Sequence, residues 1–238
     1  MRVAFFDLIQ NTKSVIKKDK ILYYPGCMTK HNHKKIFSNY KSLLSDVGVN
    51  FRLIDELVCC GSPLLSAGYA DDFENVKKKN LAILQQNGIT KIITNCPHCN
   101  YIFKNYYGLK TEHIIQTLEP RLHKIKSGSR EEVSYHDPCL LVRGGMSVVN
   151  EPRAILKKAN YLIIEPALSR EKTSCCGAGG GLKQVNPSLA ERIGVQRLSQ
   201  IRANKVVVSC PFCYAHLKGC AAKSSKEVVD FSEIIFEG

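Results

Sequence analysis

The sequence has no apolar run approaching the ~18 residues that a membrane-crossing helix needs, so no transmembrane segment is expected. Its start, MRVAFFDLIQNTKSVIKKDK, lacks a long hydrophobic region and a small-residue cleavage site, and reads as neither signal peptide nor anchor. Acidic residues are few: 21 Asp and Glu against 34 Lys and Arg leave a net charge of +13. Such a balance invites a nucleic-acid partner, but the chain lacks a long basic block interleaved with aromatics. Lys17, Lys18 and Lys20, then Lys34 and Lys35, then Lys77, Lys78 and Lys79 are scattered in short groups. They read as solvated helix faces, and no nucleic-acid partner is expected. The excess charge also suits an acidic partner or an anionic substrate.

What the chain does have is cysteine. Eleven thiols is an odd number, so complete disulfide pairing within one chain is impossible. With 238 residues and 44% hydrophobic content, the chain can bury a core without covalent staples. A reducing compartment is expected: the cytoplasm, free or peripheral to a membrane complex. Thiolates there serve most often as metal ligands or redox groups.

Ten of the eleven cysteines fall into two sets of one pattern. Cys27, Cys59-Cys60 and Cys96-x-x-Cys99 form the first; Cys139, Cys175-Cys176 and Cys210-x-x-Cys213 form the second. Their flanks repeat as well: KILYYPGC matches EEVSYHDPC, VCCGSPLLSAG matches SCCGAGGGLKQ, and KIITNCPHC matches KVVVSCPFC. Even the tails, TEHIIQTLEP and VVDFSEIIFE, agree. The chain therefore reads as an N-terminal extension (1–19), a first unit (20–122), a polar linker (123–132) and a second unit (133–238).

Short β-branched or aromatic runs at 20–24, 50–54, 91–94, 131–135, 161–164 and 205–208 suit buried parallel strands. Helical patterns lie between them, one ending at Gly88 and one opening at Asn186-Pro187. The expected fold class is α/β: two pseudo-repeated βα units with mainly parallel sheets. Cys27, Cys96, Cys139 and Cys210 each follow a strand directly, so the cysteines gather at the C-terminal strand edges, where open α/β sheets bind ligands.

The Cys-Pro-x-Cys corners carry a physical reason. Pro97 and Pro211 suit the first helical position, which puts Cys96 and Cys210 at N-caps. There the free N–H groups and the helix dipole favour a thiolate. Vicinal cysteines reach one site only from a bend, which Gly61 and Gly177 permit. Gly179, Gly180 and Gly181 would let the backbone of the second unit approach a cluster or substrate closely. Zinc is one candidate, but its structural sites take four ligands, and the CxxC–CxxC layout of a zinc ribbon is absent. Iron–sulfur clusters are multinuclear and held by thiolates. Zinc in one unit and iron–sulfur in the other is an alternative.

On these motifs (YYPGC, CCG, NCPHC, HDPC, CCGAGGG and SCPFC) nearly the whole chain from residue 20 resembles the cysteine-rich CCG module of the B-type heterodisulfide reductase family. Related modules occur in iron–sulfur subunits of lactate, glycolate and glycerol-3-phosphate oxidation systems. The resemblance implies two [4Fe–4S] clusters of non-cubane form. One would be held by Cys27, Cys59, Cys60, Cys96 and Cys99, the other by Cys139, Cys175, Cys176, Cys210 and Cys213. It implies an oxidoreductase subunit that transfers electrons and reduces a disulfide. The alternatives are an electron-transfer subunit of a lactate, glycolate or quinone-linked dehydrogenase, or a zinc-stabilised basic binding module. Many relatives carry His after the cysteine of the DPC motif, where this chain has Leu140. The CxxCxxCxxxCP run of a ferredoxin domain is absent, so the expected partners are a ferredoxin-like iron–sulfur subunit and a flavin-containing subunit. The expected substrate is an anionic disulfide or thiol.

Other residues are weighed singly. His136 and Asp137 are candidates for a supporting or proton-handling role, or simply a turn. His98 and Phe212 are expected to shield the site. Arg143 and Arg153 either bind an anionic substrate through paired hydrogen bonds or belong to a helix start. His31 and His33 read as a solvated helix start, and Cys220 as a buried structural thiol.

Overall fold

The computed structural model describes residues 19–122 and 130–236. The expected extension 1–19 lies outside them except for Asp19, as do residues 123–129 of the expected linker. The first unit runs β1 (Ile21–Tyr23), α1 (Cys27–Asn32), α2 (Lys34–Asp46), β2 (Phe51–Arg52), α3 (Ser62–Ser66), α4 (Ala70–Gln86), β3 (Lys91–Thr94), α5 (Pro97–Asn105), β4 (Thr111–His113) and α6 (Ile114–Leu118). The second runs β5 (Glu132–His136), α7 (Cys139–Arg143), α8 (Glu151–Lys158), β6 (Leu162–Ile163), α9 (Leu182–Val185), α10 (Pro187–Ser199), β7 (Lys205–Val208), α11 (Pro211–Ala221), β8 (Glu227–Asp230) and α12 (Phe231–Phe236).

Each unit forms a four-stranded, all-parallel sheet, ordered β2-β1-β3-β4 and β6-β5-β7-β8. The fold is α/β, as the alternation of apolar runs and helical patterns predicts. The central strands are buried on both faces, with Ile92, Ile93, Val206, Val207 and Val208 at 0–1% exposure. This is why they read as continuous apolar runs rather than alternating ones. Within each sheet the chain leaves the first strand for one edge and returns to the other side of it. A crevice opens at that reversal, at the C-terminal ends of β1 and β3, and of β5 and β7.

The two units share a core. Tyr40, Leu43, Leu44, Ile114 and Leu118 of the first pack in one cluster with Tyr135, Phe231 and Ile234 of the second. Helix α2 lies on α12, and α6 on α8. Each large apolar side chain buried here contributes about 1.5–3 kcal/mol, so the halves are coupled energetically. Among the described residues no helix is long and apolar enough to cross a membrane.

Two strands, β4 and β8, go beyond the expected runs, which include only the likeness of their segments. Thr111, Glu112 and His113 carry no apolar side chain, and pairing with β3 alone makes them a strand. The likeness has a structural basis. His113 Nδ1 accepts from the Ile115 N–H, while Gln116 Oε1 accepts from the His113 N–H. At the same place in the second unit, Asp230 Oδ1 accepts from the Ser232 N–H and Glu233 Oε2 from the Asp230 N–H. A strand thus turns into a helix through the same reciprocal cap twice.

Asp230 is 1% exposed, and burial pushes its carboxyl up to about 7, against the lowering effect of the Ser232 N–H. The folded state therefore keeps a proton that the unfolded chain gives up near pH 4. That contribution is complete below the unfolded pKa and is lost as pH rises through about 7, with a slope of up to about 1.4 kcal/mol per pH unit. Urea unfolding followed by circular dichroism from pH 5 to 8 is expected to show this loss, and Asp230→Asn to flatten it. An equal slope in both proteins would contradict the assignment.

Candidate metal centre

The local sequence explains how each thiol reaches its rim. Cys96 and Cys210 are the extended N-cap residues of α5 and α11, each followed by proline at the first helical position. The preceding residues are anchored alike: Tyr23 donates to Asn95 Oδ1 at 3.1 Å, and the Tyr135 hydroxyl pairs with that of Ser209. Cys27 and Cys139 open α1 and α7. Gly61 and Gly177, both at φ +88°, turn the vicinal cysteines inward. A Cβ at Gly61 would lie 2.7 Å from the Phe73 ring, and one at Gly177 2.8 Å from the Ala190 carbonyl, so no other residue fits. In the first unit Asn80 donates to the Cys59 carbonyl at 3.0 Å and Tyr107 to that of Cys60 at 3.2 Å, fixing the loop.

The result is two groups of five sulfurs, each linked in turn by neighbour interactions. In the first set Cys27 meets Cys59 at 4.0 Å, and Cys59–Cys60, Cys60–Cys99 and Cys99–Cys96 interact in turn. In the second the order is Cys139, Cys175, Cys176, Cys213, Cys210, with Cys176 and Cys213 at 3.3 Å. All are free thiols. Donation from Cys27 and Cys60, helped by the Gly61 N–H, holds Cys59 far below the usual thiol range. Cys139 and Cys176 do the same for Cys175, whose sulfur also accepts from the Gly177 N–H at 3.3 Å. Cys27 and Cys139 are correspondingly pushed up, first by that donation and then by burial. Like charges so close cannot all ionise without a cation among them. An all-sulfur donor set suits a soft metal or an iron–sulfur cluster, and five contiguous donors exceed the four of structural zinc.

The sets adjoin through His98. Burial alone would lower its pKa, but the neighbouring Cys210 and Cys96 sulfurs outweigh that and lift it to about 10. One ring thus lies in the electrostatic field of the N-cap sulfurs of both sets, while its buried Nδ1 has no hydrogen-bond partner. Its ring centroid lies 5.0 Å from that of Phe212, and a Cβ on Gly179 would come within 3.0 Å of its Nε2. Gly179 therefore admits His98, while Gly180 takes a left-handed turn at φ +65°. His98 is a bridge between the sets, more than the shield that its place in the motif suggests.

Around the second set, a ring nitrogen of His136 lies within 4.8 Å of the Cys176 and Cys213 sulfurs. Its Nδ1 accepts from Arg197 Nε at 3.0 Å. Burial, with the Arg197 charge, pushes the imidazole down to about 3, so it is neutral. Asp137 is paired bidentately with Arg153 at 2.8 and 2.9 Å and accepts from the Arg170 N–H at 2.7 Å. It braces the loop leading to Cys175. Of the two readings of Arg153, the helix start holds: it lies in the first turn of α8, and its remaining donors go to Glu165 and the Val149 carbonyl, so it has none left for a substrate. Arg143 donates to the carbonyls of Glu171 and Thr173, tying down the same loop. His33 also differs from expectation. It is half-buried, edge-on to Tyr214 at 5.1 Å, because the second unit covers it; His31 is exposed. Cys220 is buried at 3% exposure, outside both sets.

Arg197 is the residue that motif reading missed. It is 1% exposed, and its helical position lies four residues after Ile193 and four before Ile201. An arginine in phase with apolar positions was the available signal. Both sets have access to solvent. A cavity of about 90 Å³ walled by Phe37, Leu53, Ile54 and Leu57 reaches Cys27 and Cys59. A smaller one, about 20 Å³, reaches Cys139 and Cys175 between His98 and Gly179.

Comparison with known proteins agrees with the duplication. The model of the cysteine-rich domain named CCG matches twice, over residues 21–104 and 133–218. An uncharacterized iron–sulfur protein of Methanococcus maripaludis is 32% identical over 221 residues, covering 89% of this chain and 43% of its own length. One of the subunits of the fumarate reductase (CoM/CoB) of Methanothermobacter marburgensis is 32% identical, covering 86% of this chain and 42% of its own. One of the subunits of the dihydromethanophenazine:CoB–CoM heterodisulfide reductase of Methanosarcina barkeri is 31% identical, covering 92% and 59%. The chain thus spans about half the length of these relatives. With two matched domains over most of its described length, the chain belongs to the CCG cysteine-rich domain family.

Proposed function

We propose that this protein is an iron–sulfur redox subunit that binds one cluster at each five-cysteine set and reduces a disulfide within a multi-subunit complex. The observation that carries the reading is the pair of five-thiol groups that adjoin at His98. The names of the relatives, an iron–sulfur protein and redox-complex subunits among them, support it. In this reading the units 20–122 and 133–238 each hold one [4Fe–4S] cluster of non-cubane form.

When bound, such clusters supply single electrons, and two adjoining sites supply the pair that a disulfide takes up: R–S–S–R′ with two electrons and two protons gives two thiols. The chain's own residues do the rest. The N-termini of α5 and α11 and the Gly61 and Gly177 loops hold the thiolates, and His98 couples the two sites. The half-buried Cys27, Cys59 and Cys139 and the exposed Cys175 line the two cavities and are the thiols that a substrate meets first. The +13 charge suits an anionic disulfide or an acidic partner. Electrons would come from a ferredoxin-like iron–sulfur partner and a flavin-containing one. A second reading, electron transfer alone to a quinone-linked system, is favoured by the 28% identity to an EtfAB:quinone oxidoreductase of Syntrophomonas wolfei.

Protein reconstituted anaerobically with iron and sulfide is expected to be brown and to hold about four irons per five-cysteine set. Cys60→Ala and Cys176→Ala should each lose about half of that iron. Colourless protein that takes up zinc at four thiolates would overturn the reading. With reduced viologen as donor, cleavage of a small anionic disulfide to two thiols is expected, and Cys176→Ala should reduce the rate at least tenfold. Viologen-linked oxidation of 2-hydroxy acids, or reduction of a quinone, with no disulfide cleavage would favour the second reading instead.

A further inference from the structure

The second set faces a buried cation, whereas the cation beside the first, Lys30, is partly exposed and paired with Asp55. Arg197 is fully buried, and its guanidinium bonds only neutral acceptors: His136 Nδ1, the Leu168 carbonyl and Gln200 Oε1. Its Nη2 has no hydrogen-bond partner. Among the described residues no carboxylate lies within 4 Å of it; Asp137 is farther away and held by Arg153. A buried unpaired cation costs several kcal/mol unless an anion compensates it. For Arg197, Asp137 is the nearest-acting anion and is already paired with Arg153; the other groups in its field are the sulfurs of Cys213 and Cys176, which carry charge once they bind a metal or cluster.

His136 adds a donor. A guanidinium N–H can only donate, so His136 Nδ1 accepts, and the proton of the neutral ring sits on Nε2. That buried Nε2–H has no acceptor in the protein, and the ring lies against the second set. The repeat makes the contrast direct. Tyr24 stands where His136 does, and its hydroxyl is spent on the Val58 carbonyl at 2.9 Å. Helix α4 stands where α10 does, and its buried residues are Phe73, Asn80 and Leu84, with no cation. His98 lies in the field of both sets and does not distinguish them.

We propose that Arg197 and His136 make the second cysteine set the higher-potential of the two iron–sulfur sites, so that an electron entering at the first set settles at the second. This rests on the reading that both sets hold clusters. Reduction adds one negative charge to a site, and nearby positive charge and N–H donors stabilise that charge. In the transfer itself, the first site is oxidised by one electron and the second reduced by one, with no bond or proton changing place. Arg197 acts as a positioning and charge-setting residue.

The test uses the full chain, reconstituted with iron and sulfide, with metal content measured first. Dithionite titration with mediators, followed by paramagnetic resonance, gives the potential at each site. Cys60→Ala and Cys176→Ala assign the signals. The signal that Cys176→Ala removes is expected at the higher potential. Arg197→Gln should lower that potential alone, so that at the wild-type midpoint the ratio of reduced to oxidised second site falls about tenfold. Arg197→Lys should restore most of it, and His136→Gln should give a smaller fall. Loaded clusters with the first site at equal or higher potential would overturn the inference, as would Arg197→Gln moving both signals or neither. If Arg197→Gln fails to load, the wild-type order and His136→Gln decide. Zinc instead of iron would overturn the cluster reading and the inference with it.

Discussion

Five thiols packed into one buried crevice repel one another as soon as they ionise, and the fold is built around containing that repulsion. Cys60, Cys96, Cys99, Cys176, Cys210 and Cys213 are all 4% exposed or less. Solvent cannot screen them, so compensation comes from helix N-termini, from backbone N–H groups at Gly61 and Gly177, and from His98. A cation or cluster bound among the sulfurs would complete it. Sites of this kind couple metal affinity to pH, because the ligands must shed protons to bind.

The duplication gives both crevices one construction: a proline-started helix, a glycine-turned vicinal pair, a tyrosine bonded to the residue before the N-cap cysteine, and a reciprocal helix cap. Two departures from symmetry matter more than the likeness. His98 stands where the second unit has Phe212, and reaches across to the other set. His136 and Arg197 stand where the first unit has Tyr24 and an uncharged helix interior. A repeated scaffold thus holds two sites of unequal electrostatics, which is the condition for directional electron movement between otherwise similar centres.

The shared core explains why the sites adjoin. Had each unit buried its sheet separately, the crevices would have no fixed relation. Because Tyr40 and Leu44 of α2 pack with Phe231 and Ile234 of α12, the two sheets are locked together. The N-termini of α5 and α11 then lie close enough for the His98 imidazole to feel the sulfurs at both.

Much of this was legible in the residues. Cysteine spacing, CxxC corners with proline and short apolar runs encode local geometry, so six of the eight strands could be read directly and the thiols grouped by their spacing. Strands β4 and β8 could be read only as a likeness of tails, since three-residue edge strands such as Thr111–His113 owe their state to the neighbour they pair with. Side-chain partnerships were hidden for the same reason. Whether Arg153 was free or locked by Asp137 and Glu165, whether His33 was solvated or stacked on Tyr214, and whether Arg197 was a surface charge or a buried one all depend on contacts between distant segments. Spacing along the chain determines which thiols can share a rim. Only packing between the units decides which charges stand beside them, because an electrostatic environment is set by distance in space.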